Sequence, residues 1–324
     1  MVNLNATAFG GEMRKEKSKL LYILSPSYSG STLLTMLLAQ HAEIATIGEL
    51  KATSRGDLDN YLCSCGAAMK SCSFWREIES RAGRDDIAFT VEDFGTHFKA
   101  PDRWWGRILS AQLRGRVFES LRALLIKVIP GLHREWMKIL ERNRYLIDQV
   151  LQLQSSNIFL DGSKDPNRLL YFVQSGHWDV YVIYMIRDGR AQAHSTRRKE
   201  RHGMTYAQAS KDWRYTVQQM NEVVKYLPGY RLHKLRYEDL CGDPNAIMND
   251  IWAWMGINPL DQDWTDVDLK QSEHHILGNN MRTKERIAIR YDDSWQTEIE
   301  AHEFDTFEKI AGFENKSFGY NKQQ

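Results

Sequence analysis

The stretch Lys19–Gln40, KLLYILSPSYSGSTLLTMLLAQ, constrains this chain more than any other. Leu20–Leu24 has the length and apolarity of a buried parallel strand, and Leu33, Leu34, Leu37 and Leu38 recur at helical spacing, so the segment reads as strand, loop and helix. The loop carries Pro26, Ser29, Gly30, Ser31 and Thr32. Such a junction aims free backbone N–H groups and the positive end of a helix dipole at one point, which suits a phosphate or another oxyanion. It is not a Walker A sequence, because Ser31 follows Gly30 where that motif needs lysine. A serine-capped turn before an apolar helix is equally an ordinary βα connection, so the rest of the chain has to decide.

Forty-three basic against forty-two acidic residues give no net-charge argument for nucleic acid or an anionic membrane. Any anion binding has to come from local placement. With 324 residues and 42% hydrophobic content the chain can bury a large core. Neither the apolar core of a signal peptide nor a run of ~20 apolar residues is found, so a cytoplasmic protein without a membrane span is expected. Residues 1–17 are polar and expected to be flexible, with 18–324 forming one domain.

Glu43–Glu49 is a short apolar segment ending in an acid, and a strand there would bring Glu49 back to the edge where the first loop lies. Asn157–Asp161 is another short strand, and GSKDPNRLLYFV then repeats the opening logic, placing Lys164 at a strand's C-terminal end. Val180–Ile186 is the strongest buried strand. Arg187-Asp188-Gly189-Arg190 follows it, and two arginines at a strand edge suit a bidentate anion clamp, with Ser195 two helical turns along. The alternative is an arginine paired with Asp188. Tyr230–Leu235 is a further strand. Strands and helices alternating in this way predict an α/β fold with a mostly parallel, doubly wound sheet.

Between these units, about 100–155 reads as a helical insertion broken at Pro130-Gly131, with Trp105, Ile108, Leu109, Leu113, Val117, Leu121, Leu124 and Leu125 on recurring positions. Cys63, Cys65 and Cys72 put three thiols in one loop. Three thiols plus a distant histidine could hold zinc, but no second CxxC or HxxxH pair completes the usual spacing, so reduced or loosely paired structural cysteines without metal are expected.

Together and in this order, SPSYSGSTLL, RDGRAQAHS, LRYEDLCGDP and HHILGNNMR resemble segments of the PAPS-dependent sulfotransferases, especially bacterial members related to the tyrosylprotein branch. These enzymes transfer sulfonate from 3′-phosphoadenosine 5′-phosphosulfate (PAPS) to a hydroxyl or amine. The resemblance implies a P-loop-kinase-like three-layer sheet fold and PAPS as co-substrate, with no metal. It implies that Ser27, Tyr28, Ser29, Gly30, Ser31 and Thr32 hold the 5′-phosphosulfate and that Arg187, Ser195 and Arg282 hold the 3′-phosphate. Glu49 matches the general base and Lys164 a residue approaching the sulfonate. Trp213 matches a position near the adenine, and helix packing explains it equally.

Many members carry Lys or Arg where this chain has Tyr28, and Lys164 is the candidate replacement for that cation. The expected partner is a small-molecule, carbohydrate or lipid acceptor, with no nucleic acid and a homodimer left open. A P-loop-like kinase and a catalytically silent nucleotide-binding module are the competing readings.

Overall fold

The computed structural model describes residues 17–51, 57–99, 103–199, 203–269, 274–276 and 280–321. The N-terminal segment expected to be flexible, apart from Lys17, and residues 277–279 of the late HHILGNNMR segment lie outside the described residues. Five strands form a fully parallel sheet in the order β2-β3-β1-β4-β5: β1 (Lys19–Leu24), β2 (Ile44–Thr46), β3 (Ile158–Asp161), β4 (Asp179–Ile186) and β5 (Leu232–Arg236). Each of the five apolar runs identified in the sequence supplies one strand.

The sheet is covered on both faces, as side-chain alternation along its central strands requires. Leu20, Tyr22 and Leu24 of β1, with Val180, Val182 and Tyr184 of β4, join the core on one side; Leu21, Ile23, Ile183 and Met185 join the core on the other. Helices α1 (Ser31–Leu38), α2 (Ser73–Arg84), α3 (Gly106–Leu109), α4 (Arg116–Val128), α5 (Pro130–Leu153), α6 (Pro166–Ser175), α7 (Gly189–Lys199) and α8 (Tyr206–Val223) precede β5. After it come α9 (Tyr237–Gly242), α10 (Pro244–Met255), the antiparallel pair β6 (Asp266–Asp268) and β7 (Arg286–Ala288), α11 (Trp295–Glu298) and α12 (Ala301–Ser317). Helices α1 and α10 contribute to one core, α5, α6, α8 and α12 to the other. No helix among the described residues is long and apolar enough to cross a membrane.

The insertion between α2 and β3 departs from its expected packing. Pro130 does divide it, standing at the first turn of α5, where its missing N–H costs nothing. In α4, however, Val117, Leu121 and Leu124 are exposed. That helix buries Glu119, Arg122 and Ile126 instead. The Arg122 guanidinium pairs with Glu119 and donates to the Ala111 carbonyl at 2.6 Å and to Asn167 Oδ1 at 3.1 Å. These polar bonds decide which face turns inward, and hydrophobic periodicity is blind to them.

A buried polar network joins the ends of β2 and β3. Asp161 Oδ1 accepts from the backbone N–H of Leu50 at 3.2 Å and of Ser163 at 2.9 Å, and from the Ser163 hydroxyl at 2.5 Å. Its other oxygen takes Arg168 Nε at 2.8 Å. Arg168 reaches on to the Thr96 carbonyl at 2.8 Å and to Asn143 Oδ1, and Thr96 closes the ring by donating to the Leu50 carbonyl at 2.6 Å. All of these side chains are buried. Leaving Asp161 charged without its partner costs about 3–5 kcal/mol. Arg168→Met should therefore lower the free energy of urea unfolding by about that amount; an unchanged urea midpoint would show that the pair does not hold the fold.

Candidate active site

Four strand ends deliver the sequence-predicted residues to one edge of the sheet. The loop Ser25–Gly30 leaves β1, Glu49 follows β2, Lys164 follows β3 and Arg187 follows β4. In open α/β sheets this C-terminal edge, where successive strands lie on opposite sides of a central one, is where ligands bind.

The loop after β1 is shaped by two left-handed residues, Tyr28 (φ 60°) and Gly30 (φ 84°). Glycine is required at the second: a Cβ on Gly30 would come within 2.4 Å of the Tyr237 ring. No side chain caps α1 and no acid stands in its first turn, so the N-terminal end of the helix keeps its positive character. The Ser25 and Ser29 hydroxyls are buried and have no hydrogen-bond partner among the described residues. Buried hydroxyls left unpaired at an uncapped helix start are the donor set an oxyanion would satisfy. Ser27 itself is exposed, and its carbonyl is held by Gln192 Nε2 at 2.8 Å.

Glu49 and Lys164, brought from separate strands, meet directly. Lys164 Nζ donates to Glu49 Oε1 at 2.5 Å, with the two side chains 13% and 12% exposed. Lys51 Nζ lies 3.9 Å from the other Glu49 oxygen. The pair lines a small pocket with Ser31, Thr32, Thr35, Gly48, Gly162, His275 and Arg282. Lys164 is left-handed at φ 64°, a conformation that costs free energy in a non-glycine residue. It is kept there by neighbours on both sides: Ser163 through Asp161, and Asp165 through Tyr22. The Tyr22 hydroxyl donates to the Asp165 carbonyl and accepts from the Asp165 N–H, both at 2.9 Å. Burial, followed by the charges of Asp161 and Asp165, raises the Tyr22 phenol well above its ordinary range, so it stays neutral.

Arg187 and Ser195 are also together. Arg187 Nη1 lies 3.2 Å from both the Ser195 hydroxyl and the Tyr28 carbonyl, while Nη2 donates to the Asp292 carbonyl at 3.0 Å. The guanidinium is buried, packs 4.8 Å from the Tyr237 ring centroid, and has no partner for Nε among the described residues. The Asp292 carboxylate stands 3.6 Å away. A hydrogen bond from Ser294, with a further contribution from Arg187, holds that carboxyl below its usual range.

Arg190 does not complete the expected two-arginine clamp. It turns back onto Asp188 at 2.6 Å and the Asn321 carbonyl at 3.2 Å, in α7's first turn. The residue pairing with Asp188 is thus Arg190, and Arg187 stays directed at the β1 loop. Trp213 is buried against Phe307, ring centroids 5.6 Å apart, and closes over Gly189, which matches the helix-packing explanation. Arg282 donates to the Leu62 carbonyl at 2.5 Å and lines the Glu49–Lys164 pocket, away from the ring of contacts around Arg187.

Several site residues carried no sequence signal of their own. Asp161 and Ser163 sit beside Lys164 in FLDGSK, yet nothing local says that they bond to Leu50 and Lys51. His275 reaches the pocket because Gly48 and Ile276 form a parallel bridge, with Ile276 N–H on the Ile47 carbonyl at 2.8 Å. A pairing more than two hundred residues apart leaves no trace in spacing.

A sulfotransferase family model matches residues 21–262, which include the β1 loop, Glu49, Lys164, Arg187 and Ser195. No curated protein matches the chain. Among solved structures, the sulfotransferase domain from the curacin biosynthetic pathway is 15% identical with a TM-score of 0.50, over 95% of this chain and 100% of that domain. The sulfotransferase domain of the Synechococcus PCC 7002 olefin synthase is 16% identical with a TM-score of 0.46, over 98% and 100% of the two chains. A sulfotransferase of Mycobacterium tuberculosis H37Rv is 17% identical with a TM-score of 0.41, over 76% and 69%. With the model match spanning most of its length, the chain belongs to the sulfotransferase family and is a PAPS-dependent enzyme of that class.

Proposed function

We propose that the protein transfers the sulfonate of PAPS to an acceptor hydroxyl or amine, with Glu49 as general base. The observation that carries the reading is the 2.5 Å Glu49–Lys164 contact in a pocket shared with Ser31 and Thr32, the start of α1. One carboxylate, one ammonium and the positive end of a helix offer sulfonate transfer a base, a cation and an anion-binding end. PAPS supplies the sulfonate group. The chain's own groups do the rest: the Ser25 and Ser29 hydroxyls and the backbone N–H groups of residues 28–32 bind the 5′ end, and Arg187 with Ser195 binds the 3′-phosphate.

Glu49 takes the proton from the acceptor, for which hydrogen-bond reach and an ionised carboxylate are required. Lys164 then has two partners to choose between. Its ammonium pairs with Glu49 in the pocket, and beside an anionic donor at α1 it would turn to the oxygen on which charge grows. That exchange releases the carboxylate to act as base at the moment substrate is present. Preorganised donors of this kind are worth ~3–4 kcal/mol each in the transition state. Lys164 in this role explains how position 28 can be tyrosine. Arg282, on the Glu49 side of the loop, is proposed to face the sulfonate or acceptor end, in place of the 3′-phosphate that the resemblance implied. Acceptor classes remain those of the family: small-molecule, carbohydrate or lipid hydroxyls and amines.

Two predictions test the assignment. Isothermal titration should show tighter binding of 3′,5′-ADP than of 5′-AMP, and Arg187→Ala should weaken the former about ten- to a hundredfold, from the ~1.5–3 kcal/mol of a lost charge-assisted contact, with little effect on the latter. Equal affinity for the two nucleotides would remove the 3′-phosphate site. In single-turnover transfer from sulfur-35 PAPS, Glu49→Gln should lower the rate by roughly a hundredfold or more at near-unchanged donor affinity. Lys164→Ala should lower both rate and affinity, and adding Tyr28→Lys should restore part of the rate. Wild-type turnover in Glu49→Gln would sink the general-base role, and absence of rescue would break the link between positions 28 and 164.

A further inference from the structure

Cys63, Cys65, Cys72 and His274 converge on one point: their three sulfurs and one imidazole nitrogen all lie within 4.8 Å of one another. The distances have a recognisable pattern. Cys65 Sγ is 3.7 Å from Cys72 Sγ, and His274 Nδ1 is 3.3 Å from Cys72 Sγ and 3.5 Å from Cys63 Sγ. Around a tetrahedral zinc with Zn–S ≈ 2.3 Å and Zn–N ≈ 2.0–2.1 Å, the sulfur–sulfur edge is about 3.7–3.8 Å and the sulfur–nitrogen edge about 3.5–3.6 Å. Disulfide bonding would instead bring two sulfurs to about 2.0 Å, and all four cysteines of the chain are free. We propose that these four residues form a structural Cys₃His zinc site that clamps the 62–72 loop to the 274–276 segment.

The surrounding structure presents the ligands. Gly66, at φ 83°, lets the chain reverse between Cys63 and Ala67, where the Cys63 N–H bonds the Ala67 carbonyl at 2.9 Å and the Gly66 N–H bonds the Cys63 carbonyl at 3.0 Å. Both thiols of the CSC pair are thereby turned to one side. Cys72 is the N-cap residue of α2, where the helix dipole favours a thiolate. The His274 ring is stacked on Phe74, centroids 4.3 Å apart and planes 7° from parallel, which fixes the direction of Nδ1. Cys63 and Cys72 are fully buried, so the site is closed on its inner side, as structural zinc requires.

The clamp has a definite target. Beside it, the Ser64 hydroxyl accepts from the His275 N–H at 2.8 Å and the Ser64 N–H donates to the His275 carbonyl at 3.2 Å. One residue further, Ile276 pairs with the chain just before Glu49, taking the Glu49 N–H on its carbonyl at 3.4 Å. A metal at the four ligands therefore braces the backbone under Glu49 without touching the reacting groups. The sequence reading allowed a distant histidine without saying which; His274 lies 202 residues beyond Cys72.

The test is elemental analysis of the full-length protein purified without chelator under reducing conditions, followed by cobalt substitution. About one zinc per chain is expected, falling below a tenth in Cys65→Ser and in His274→Ala. The Co²⁺-loaded wild type should show thiolate-to-cobalt charge transfer and the intense d–d bands of a tetrahedral site, and His274→Cys should keep the metal with shifted d–d bands. Removing zinc should lower the melting temperature, and adding it back should restore it. Wild-type protein that contains no zinc, and after reduction gives no thiolate–cobalt band, would overturn the proposal; so would metal retained at full stoichiometry in both Cys65→Ser and His274→Ala. None of these readouts depends on sulfonate transfer, so the site stands or falls apart from the catalytic assignment.

Discussion

The buried Asp161–Arg168 ion pair is the constraint on which the placement of Glu49 and Lys164 depends. Burying two charges is expensive, and the expense is met only when every remaining lone pair and N–H finds a partner. Here that demand is turned into geometry. To satisfy Asp161, the chain has to bring Leu50 N–H and both donors of Ser163 to the same oxygen; to satisfy Arg168, it has to bring the Thr96 carbonyl and Asn143. Glu49 is the residue before Leu50 and Lys164 the residue after Ser163. The 2.5 Å contact between them is therefore inherited from a network that contains neither side chain. A hydrophobic pair at 161 and 168 could fill the same space, but it would not specify the distance between the two strand ends.

The fold was largely legible because its signal is local and repeated. Val180–Ile186 and Leu20–Leu24 are apolar on both faces, which suits a strand buried in the middle of a parallel sheet, and the five strands of that sheet are those the sequence marks, whereas the short pair β6 and β7 is not. The β1 loop was legible as a strand–loop–helix junction for the same reason, with its glycine, serines and threonine between an apolar strand and an apolar helix. What was not legible is the pairing of side chains from distant segments. The face of α4 was misjudged because Arg122 finds its partners in Ala111 and Asn167. The double-arginine clamp failed because Asp188 sits two residues from Arg190 and captures it at the turn.

The cysteines show the same limit from the opposite direction. Three thiols within ten residues are visible to any reader, and a metal centre needs one more ligand than they supply. The fourth arrives only because Gly48 and Ile276 pair in parallel beyond the end of β2, bringing His274 with them. Gly48 makes this approach possible: at φ 83°, a Cβ there would stand 2.6 Å from the Ile276 carbonyl. A single glycine is thus the condition for the strand extension, for His275 in the pocket and for the four-ligand cluster.

Two mechanically separate halves follow from this arrangement. Arg187 and Gln192, from β4 and α7, hold the β1 loop by its own carbonyls at Tyr28 and Ser27. The chain at Glu49 is held by different neighbours: Asp161 accepts the Leu50 N–H on the β3 side, and the Ile276 carbonyl accepts the Glu49 N–H on the other. Lys164 stands 2.5 Å from Glu49 and lines the same pocket as Ser31 and Thr32 at the start of α1, so it links the two sets. Energetic coupling is expected between neighbours that share a partner and weak between those that do not. On the proposed roles, Lys164 is therefore the position where a substitution has to change donor affinity and proton abstraction together.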